Sequence, residues 1–174
     1  MKGLIQALLE DSRLGRTDLP QEPTDLTSAA HEAIANLSAA IQENGADVIV
    51  EPLPALMTIR RYIVMLFQNL IGNAIKYRSK QPPEIHISAV RSNDVWTFSV
   101  RDNGLGIDPH HHERIFEIFQ RLHTQRDYPG MGIGLSMCKK ILDLHGGEIW
   151  VESEPKKGSS FKFTLRAQKD TRAK

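Results

Sequence analysis

Three residues in the stretch "LFQNLIGNAIKYR", positions 66–78, have types and spacing that could do chemistry together. Asn69, Asn73 and Lys76 fall at i, i+4 and i+7, so on a helix all three project from one side, at the edge of an apolar stripe. Asparagine is a poor helix former because its amide competes for backbone hydrogen bonds, so two of them on a core-facing helix need a reason. Amide oxygens suit a hard divalent cation such as Mg2+, which keeps several waters and usually binds together with substrate phosphates. A neighbouring ammonium suits those phosphates as a point charge. Taken alone, two solvated or helix-bonded amides explain the spacing better.

Further along, "RDNGLGID" (101–108) ends a strand at Asp102 and turns at Asn103. Gly104 and Gly106 allow positive φ and let a backbone approach a flat ligand closely. A carboxylate fixed at a strand end can accept from an exocyclic amine, which tells adenine from guanine; alone, a strand-ending turn that needs glycine explains it better. In "PGMGIGLSMCKKI" (129–141), Gly130, Gly132 and Gly134 precede and open a helix. Free N–H groups and the helix dipole there favour an anionic phosphate. It is not the dinucleotide fingerprint, since position 135 is leucine, and no Walker loop occurs in the chain. Between these glycine-rich stretches lies "PHHHERIFEIFQRLHTQRDYPG", a length usual for functional lids. Phe116 and Phe119 would pin it when closed, and Arg121 would meet a phosphate. His110 to His112 have no supporting His/Cys cluster and read as a solvated loop start rather than a metal site.

The elements that must position these groups follow from periodicity. Residues 1–15 put Leu4, Ile5, Leu8 and Leu9 on one helical stripe, too short to stand alone. It reads as the end of a longer helix or a surface for a homodimer. Residues 16–23, with Pro20 and Pro23, read as a linker. A main domain spans 24–167, opening at Thr24 or Asp25 as a helix cap. One helix is expected through Ala30, Ala33, Ile34, Leu37 and Ile41, then a short strand at "VIVEP", then a long helix over 60–77. After "SKQPP" the period becomes two: "EIHISAV" and "VWTFSV" alternate around the turn "SND", and "GEIWVES" and "SSFKFTL" flank "EPKKGS". Residues 168–174 form a polar tail. Helices alternating with a hairpin-rich sheet predict an α/β, two-layer sandwich with helices on one face, not a doubly wound parallel fold.

The 174 residues are 40% hydrophobic and 25% charged with formal net charge +1, which gives no support to a nucleic-acid or membrane-surface role. The single cysteine, Cys138, forms no intramolecular disulfide, and no apolar run is long enough to span a membrane. A cytoplasmic setting is the expectation.

Taken in order, these pieces resemble the catalytic ATP-binding domain of sensor histidine kinases, the Bergerat fold. "LFQNLIGNAIKYR" resembles its N box, "VRDNGLGID" its G1 box, "ERIFEIFQRLH" its F box and "GMGIGLSMCKKILDLHGG" its G2 box, the wording being nearest to phytochrome-like sensory kinases. The resemblance runs from about Thr24 to Leu165. It implies ATP and Mg2+ as ligands, with Asn73 holding the metal and Asn69 assisting. Lys76 would contact phosphate and Tyr77 would pack on the adenine. Asp102 would read the adenine amine in a pocket shaped by Gly104, Gly106 and Ile107. Arg121 would approach the γ-phosphate, and the backbone of Gly130, Gly132, Ile133, Gly134 and Leu135 would cradle the phosphates. Met131 stands where relatives often carry threonine.

The resemblance also implies a phosphoacceptor histidine on a preceding helix, outside this chain, and a response regulator receiver domain as the next partner. His31, in "HEAIANL", lacks the Arg-Thr-Pro character that follows a phosphoacceptor and falls in the first helix of the ATP-binding domain. Two other readings share these motifs. A stand-alone serine kinase of the anti-sigma type would need no preceding helix, whereas residues 4–9 and the F-box phenylalanines favour the histidine-kinase reading. A non-catalytic adapter is disfavoured by the intact Asn73, Asp102 and glycines.

Overall fold

The computed structural model describes residue 12 and residues 19–118 and 132–167. Phe119, Arg121, Gly130 and Met131 lie outside the described residues, as do residues 168–174 and, apart from Ser12, the stretch 1–15.

The mixed five-stranded sheet follows from the period-two runs. Its strands are β2 (Asp47–Val50), β4 (Glu84–Ser92), β5 (Val95–Asp102), β6 (Ile149–Ser153) and β7 (Ser159–Arg166), in the order β2-β4-β5-β7-β6. Only β2 and β4 pair in parallel; the other ladders are antiparallel. Alternation puts Ile85, Ile87, Phe98, Val100, Phe161, Phe163 and Leu165 on one buried face. The opposite face is polar, with Ser99 and Ser160 hydroxyls 2.8 Å apart and Lys162 donating to Glu152 at 2.7 Å.

Among residues 19–118 and 132–167, four α-helices accompany the sheet: α1 (Leu26–Asn36), α2 (Ser38–Asn44), α3 (Arg60–Lys76) and α4 (Gly134–Leu144). Asp25 caps α1, its carboxylate accepting from the N–H of Thr27 and Ser28 at 2.9 and 3.3 Å. The single helix expected through Ile41 is two. Leu37 leaves helical geometry (φ −101°, ψ 11°) between Asn36 and Ser38, both weak helix formers, although the apolar period runs on unbroken. Gly45 ends α2 in the left-handed conformation.

A second, two-stranded sheet escaped the sequence reading: β1 (Glu22–Asp25) pairs antiparallel with β3 (Ala55–Thr58). Glu22 and Pro23 fall in the stretch read as linker. Strands of four residues carry little periodic signal, and proline is tolerated on an edge strand.

The long helix α3 supplies the centre of the core. Ile63, Leu66, Phe67, Leu70 and Ile71 are at most 1% exposed. Phe67 meets Phe163 edge-on with centroids 6.0 Å apart, and Phe163 stacks on its cross-strand partner Phe98 at 4.8 Å. Each such aromatic pair adds roughly 0.5–1.5 kcal/mol beyond the area it buries. This packing fixes which side of α3 faces away from the core, and Asn69, Asn73 and Lys76 stand at its margin, partly buried.

Candidate nucleotide site

Three chain segments converge where α3 ends. Tyr77 closes α3, and its carbonyl accepts from the N–H of Leu105 at 3.0 Å, tying the helix to the turn after β5. The approach is close enough to require glycine: a Cβ on Gly104 would lie 2.5 Å from that same carbonyl oxygen. On the other side, a Cβ on Gly134, the first residue of α4, would sit 3.2 Å from Asn69 Oδ1. The Asn-bearing helix, the RDNGLGID turn and the start of α4 are thus neighbours, as the motif readings required.

Asp102 ends β5. Its Oδ1 accepts from the N–H of Gly104 at 2.8 Å and of Ser159 at 3.2 Å. Among the described residues Oδ2 has no partner, leaving one carboxylate oxygen held and the other open. Burial pushes the Asp102 carboxyl above the usual carboxylate range, partly offset by the two accepted N–H bonds.

The turn is held from behind by residues that no motif flagged. Ser153 Oγ accepts from the N–H of Ile107 at 2.8 Å and donates to the Gly158 carbonyl at 2.8 Å, beside Ser159 Oγ at 2.9 Å. Gly106 takes φ +72°, and any side chain there would run into the Glu154 carbonyl. Ser153, Glu154, Gly158 and Ser159 belong to the β6–β7 hairpin, and in "VESEPKKGSS" they read only as strand ends and a turn.

Lys76 Nζ lies 4.9 Å from the centroid of the Tyr77 ring, so the ammonium and the aromatic face share one end of α3. At the opening of α4, Ile133 is the cap residue and no side chain caps the helix. Gly132, Gly134 and Leu135 are partly buried there, with backbone N–H groups at a helix start. Gly130 and Arg121 lie outside the described residues. Ile115 and Phe116 are buried, Phe116 meeting Phe161 edge-on at 6.4 Å, so the start of the long connection is anchored to the sheet.

Oxygen donors from Asn69 and Asn73 fit a hard cation that takes its remaining ligands from phosphates and water. No cluster of three or more His, Cys, Asp or Glu side chains occurs among the described residues. His110 is exposed and bonds Asp108 at 2.7 Å, while His112 bonds the Ile107 carbonyl at 3.2 Å.

A family model described as "Histidine kinase-, DNA gyrase B-, and HSP90-like ATPase" matches residues 58–169, which contain α3, the RDNGLGID turn, α4 and the strands β4–β7. The chain belongs to this ATPase family. Cyanobacterial phytochrome A of a Nostoc species is 48% identical over 165 residues, covering 95% of this chain and 22% of the relative. The phytochrome-like protein Cph1 of a Synechocystis species is 44% identical over the same shares of the two chains. The chain therefore spans about a fifth of the length of these curated relatives.

Solved structures agree on the fold. Full-length ShkA, determined with AMPPNP, superposes with TM-score 0.81 at 26% identity, over 96% of this chain and 36% of its own. The nucleotide-free catalytic domain of histidine kinase ThkA gives 0.72 at 27% identity, over 85% of this chain and 96% of its own. The two-layer α/β sandwich is that of histidine kinase ATP-binding domains. None of the described helices is long and apolar enough to cross a membrane.

Proposed function

We propose that this chain is the ATP-binding kinase domain of a cytoplasmic two-component sensor kinase. It would donate the γ-phosphoryl group of ATP to a histidine outside this chain, for relay to an aspartate of a response regulator receiver domain. One observation carries the nucleotide reading: Asp102 has one oxygen held by two backbone N–H groups and the other without a partner among the described residues. That is an acceptor fixed in place for an exocyclic amine. It ends β5 and leads into the turn that is tied to Tyr77 at the end of α3, the helix whose Asn69 abuts the start of α4. The AMPPNP in the ShkA structure supports the same ligand class here.

Within this reading the roles divide along α3. Tyr77 packs on the adenine whose amine Asp102 accepts. Lys76 binds phosphate as a point charge, and the N–H groups at Gly132 to Leu135 receive phosphate oxygens at the helix start. Asn73, with Asn69 beside it, would hold Mg2+, which when bound neutralises phosphate charge. Arg121 would steady the γ-phosphate from the connection between Phe116 and α4. In the transfer, the bare nitrogen of the acceptor imidazole forms a bond to the γ-phosphorus as the bond to the ADP oxygen breaks, and the other ring nitrogen gives its proton to a base beside the acceptor, outside this chain. Positioning and charge stabilisation do most of the work in such chemistry. Residues 1–15 would end the helix that follows the acceptor-bearing one and pair with a second copy.

The test is calorimetric titration of the purified chain with AMPPNP, with and without Mg2+. Mg2+-dependent binding is expected. No binding under either condition would leave the fold as a non-catalytic adapter.

A further inference from the structure

His145 follows α4, and both its ring nitrogens are engaged by backbone. Nδ1 lies 2.7 Å from the Ile141 carbonyl, which can only accept, so Nδ1 carries the proton. Nε2 lies 3.0 Å from the Ile59 nitrogen, whose N–H can only donate, so Nε2 is bare. The partners therefore fix a neutral Nδ1–H ring. Ile59 is the cap residue of α3, and Ile141 lies in the last turns of α4. One imidazole thus joins the start of one helix to the end of the other.

Two further contacts give the register between these helices. Cys138 Sγ points to the Leu66 carbonyl at 4.0 Å, and Gly134 abuts the Asn69 side chain. Ile59 meets His145, Leu66 meets Cys138 and Asn69 meets Gly134: as the number rises on α3 it falls on α4. The helices run antiparallel, and Asn69 stands ten residues, about 15 Å, along α3 from the His145 contact. Sliding one helix along the other would carry the asparagines past the glycine turn that opens α4.

We propose that His145 is a positioning residue for nucleotide binding: its imidazole sets the lengthwise register of α3 against α4, and so the placement of Asn69 and Asn73 opposite Gly132–Leu135. The proposal rests on the ATP reading of that site. Burial holds the His145 ring below the ordinary histidine range, in keeping with a ring that stays neutral.

The test compares the wild-type chain with His145→Leu and His145→Gln, using NMR of the nucleotide-free proteins and AMPPNP titration with Mg2+. The wild type should show the Nδ1–H tautomer. His145→Leu should shift the Asn69 side-chain amide and the Gly134 N–H and weaken AMPPNP about tenfold or more, since small misplacements cost that much. His145→Gln, whose Oε1 can still accept from Ile59, should recover both. If the leucine chain does not fold, His145→Asn, which keeps the Ile141 bond but falls short of Ile59, is measured in its place, with the leucine chain's shifts and loss of affinity expected. A folded His145→Leu or His145→Asn chain with wild-type Asn69 and Gly134 signals and unchanged affinity overturns the proposal, as does an Nε2–H tautomer. Shifted signals in a variant, with no AMPPNP binding by the wild type, would uphold the helix register and overturn the nucleotide reading that gives it a purpose.

Discussion

Replacing Asp102 with asparagine separates what holds the turn from what reads the ligand. Oδ1 accepts both structural bonds, from Gly104 and Ser159, and an amide oxygen keeps two lone pairs to accept both, without the help of the charge. The amide cannot flip, because its NH₂ would then face two N–H donors. The donor group is therefore forced into the Oδ2 position, which the proposed adenine amine would also approach as a donor. Losing a hydrogen bond to a charged group costs roughly 1.5–3 kcal/mol, or about 10- to 150-fold in affinity. The fold should not suffer, since the buried charge that raises the Asp102 pKa is gone. Calorimetry with ATP and ITP provides the assay. The wild type should prefer ATP, and Asp102→Asn should bind ATP about 10- to 150-fold more weakly while losing its preference over ITP, whose O6 accepts from the new amide. Unchanged ATP affinity with an unchanged ATP:ITP ratio would refute the assignment of Asp102.

Asn73→Ala should keep the wild-type melting temperature, because the side chain sits at the margin of the core, yet lose the Mg2+ dependence of AMPPNP binding; calorimetry and a thermal melt check both. Gly106→Ala should destabilise the chain by at least roughly 1–3 kcal/mol, combining the cost of φ +72° with a collision on Glu154, whereas Gly45→Ala, at φ +59° with nothing nearby, carries only the first cost; urea unfolding compares them. Phe67→Ala should cost about 3–5 kcal/mol in the same assay, since the ring is fully buried against Phe163. The folded pKa of His145 is depressed, so on acidification the unfolded chain takes up the proton first. Its contribution to stability is therefore complete above the ordinary value of 6.5 and is lost as pH falls below it towards the depressed value. Urea midpoints across that range should fall with pH in the wild type and less so in His145→Gln.

The sequence pointed to the candidate site through spacing rather than through any one motif. Asn69, Asn73 and Lys76 were placed by helical period, and Asp102, Gly104 and Gly106 by the end of an alternating strand; the structure brings those elements together. The β6–β7 hairpin behind the turn was not legible as part of the site. Ser153 and Ser159 act through hydroxyl and backbone bonds between segments distant in sequence, and serine beside a turn carries no distinguishing signal. His145 was hidden similarly, since its role depends on Ile59, 86 positions away. The paired strands β1 and β3 were too short to show a period. The break at Leu37 lies inside an apolar pattern that continues on both sides of it.

The central claim is that this chain hands a phosphoryl group to a histidine it does not itself contain. The direct measurement incubates the chain with Mg2+ and γ-labelled ATP beside a separate fragment bearing a phosphoacceptor histidine. Acid-labile, base-stable label on the fragment, absent with Asn73→Ala and absent from the chain alone, is the predicted result. Acid-stable phosphoserine on a partner, stable label on His31 of the chain, or transfer undiminished in Asn73→Ala would contradict it.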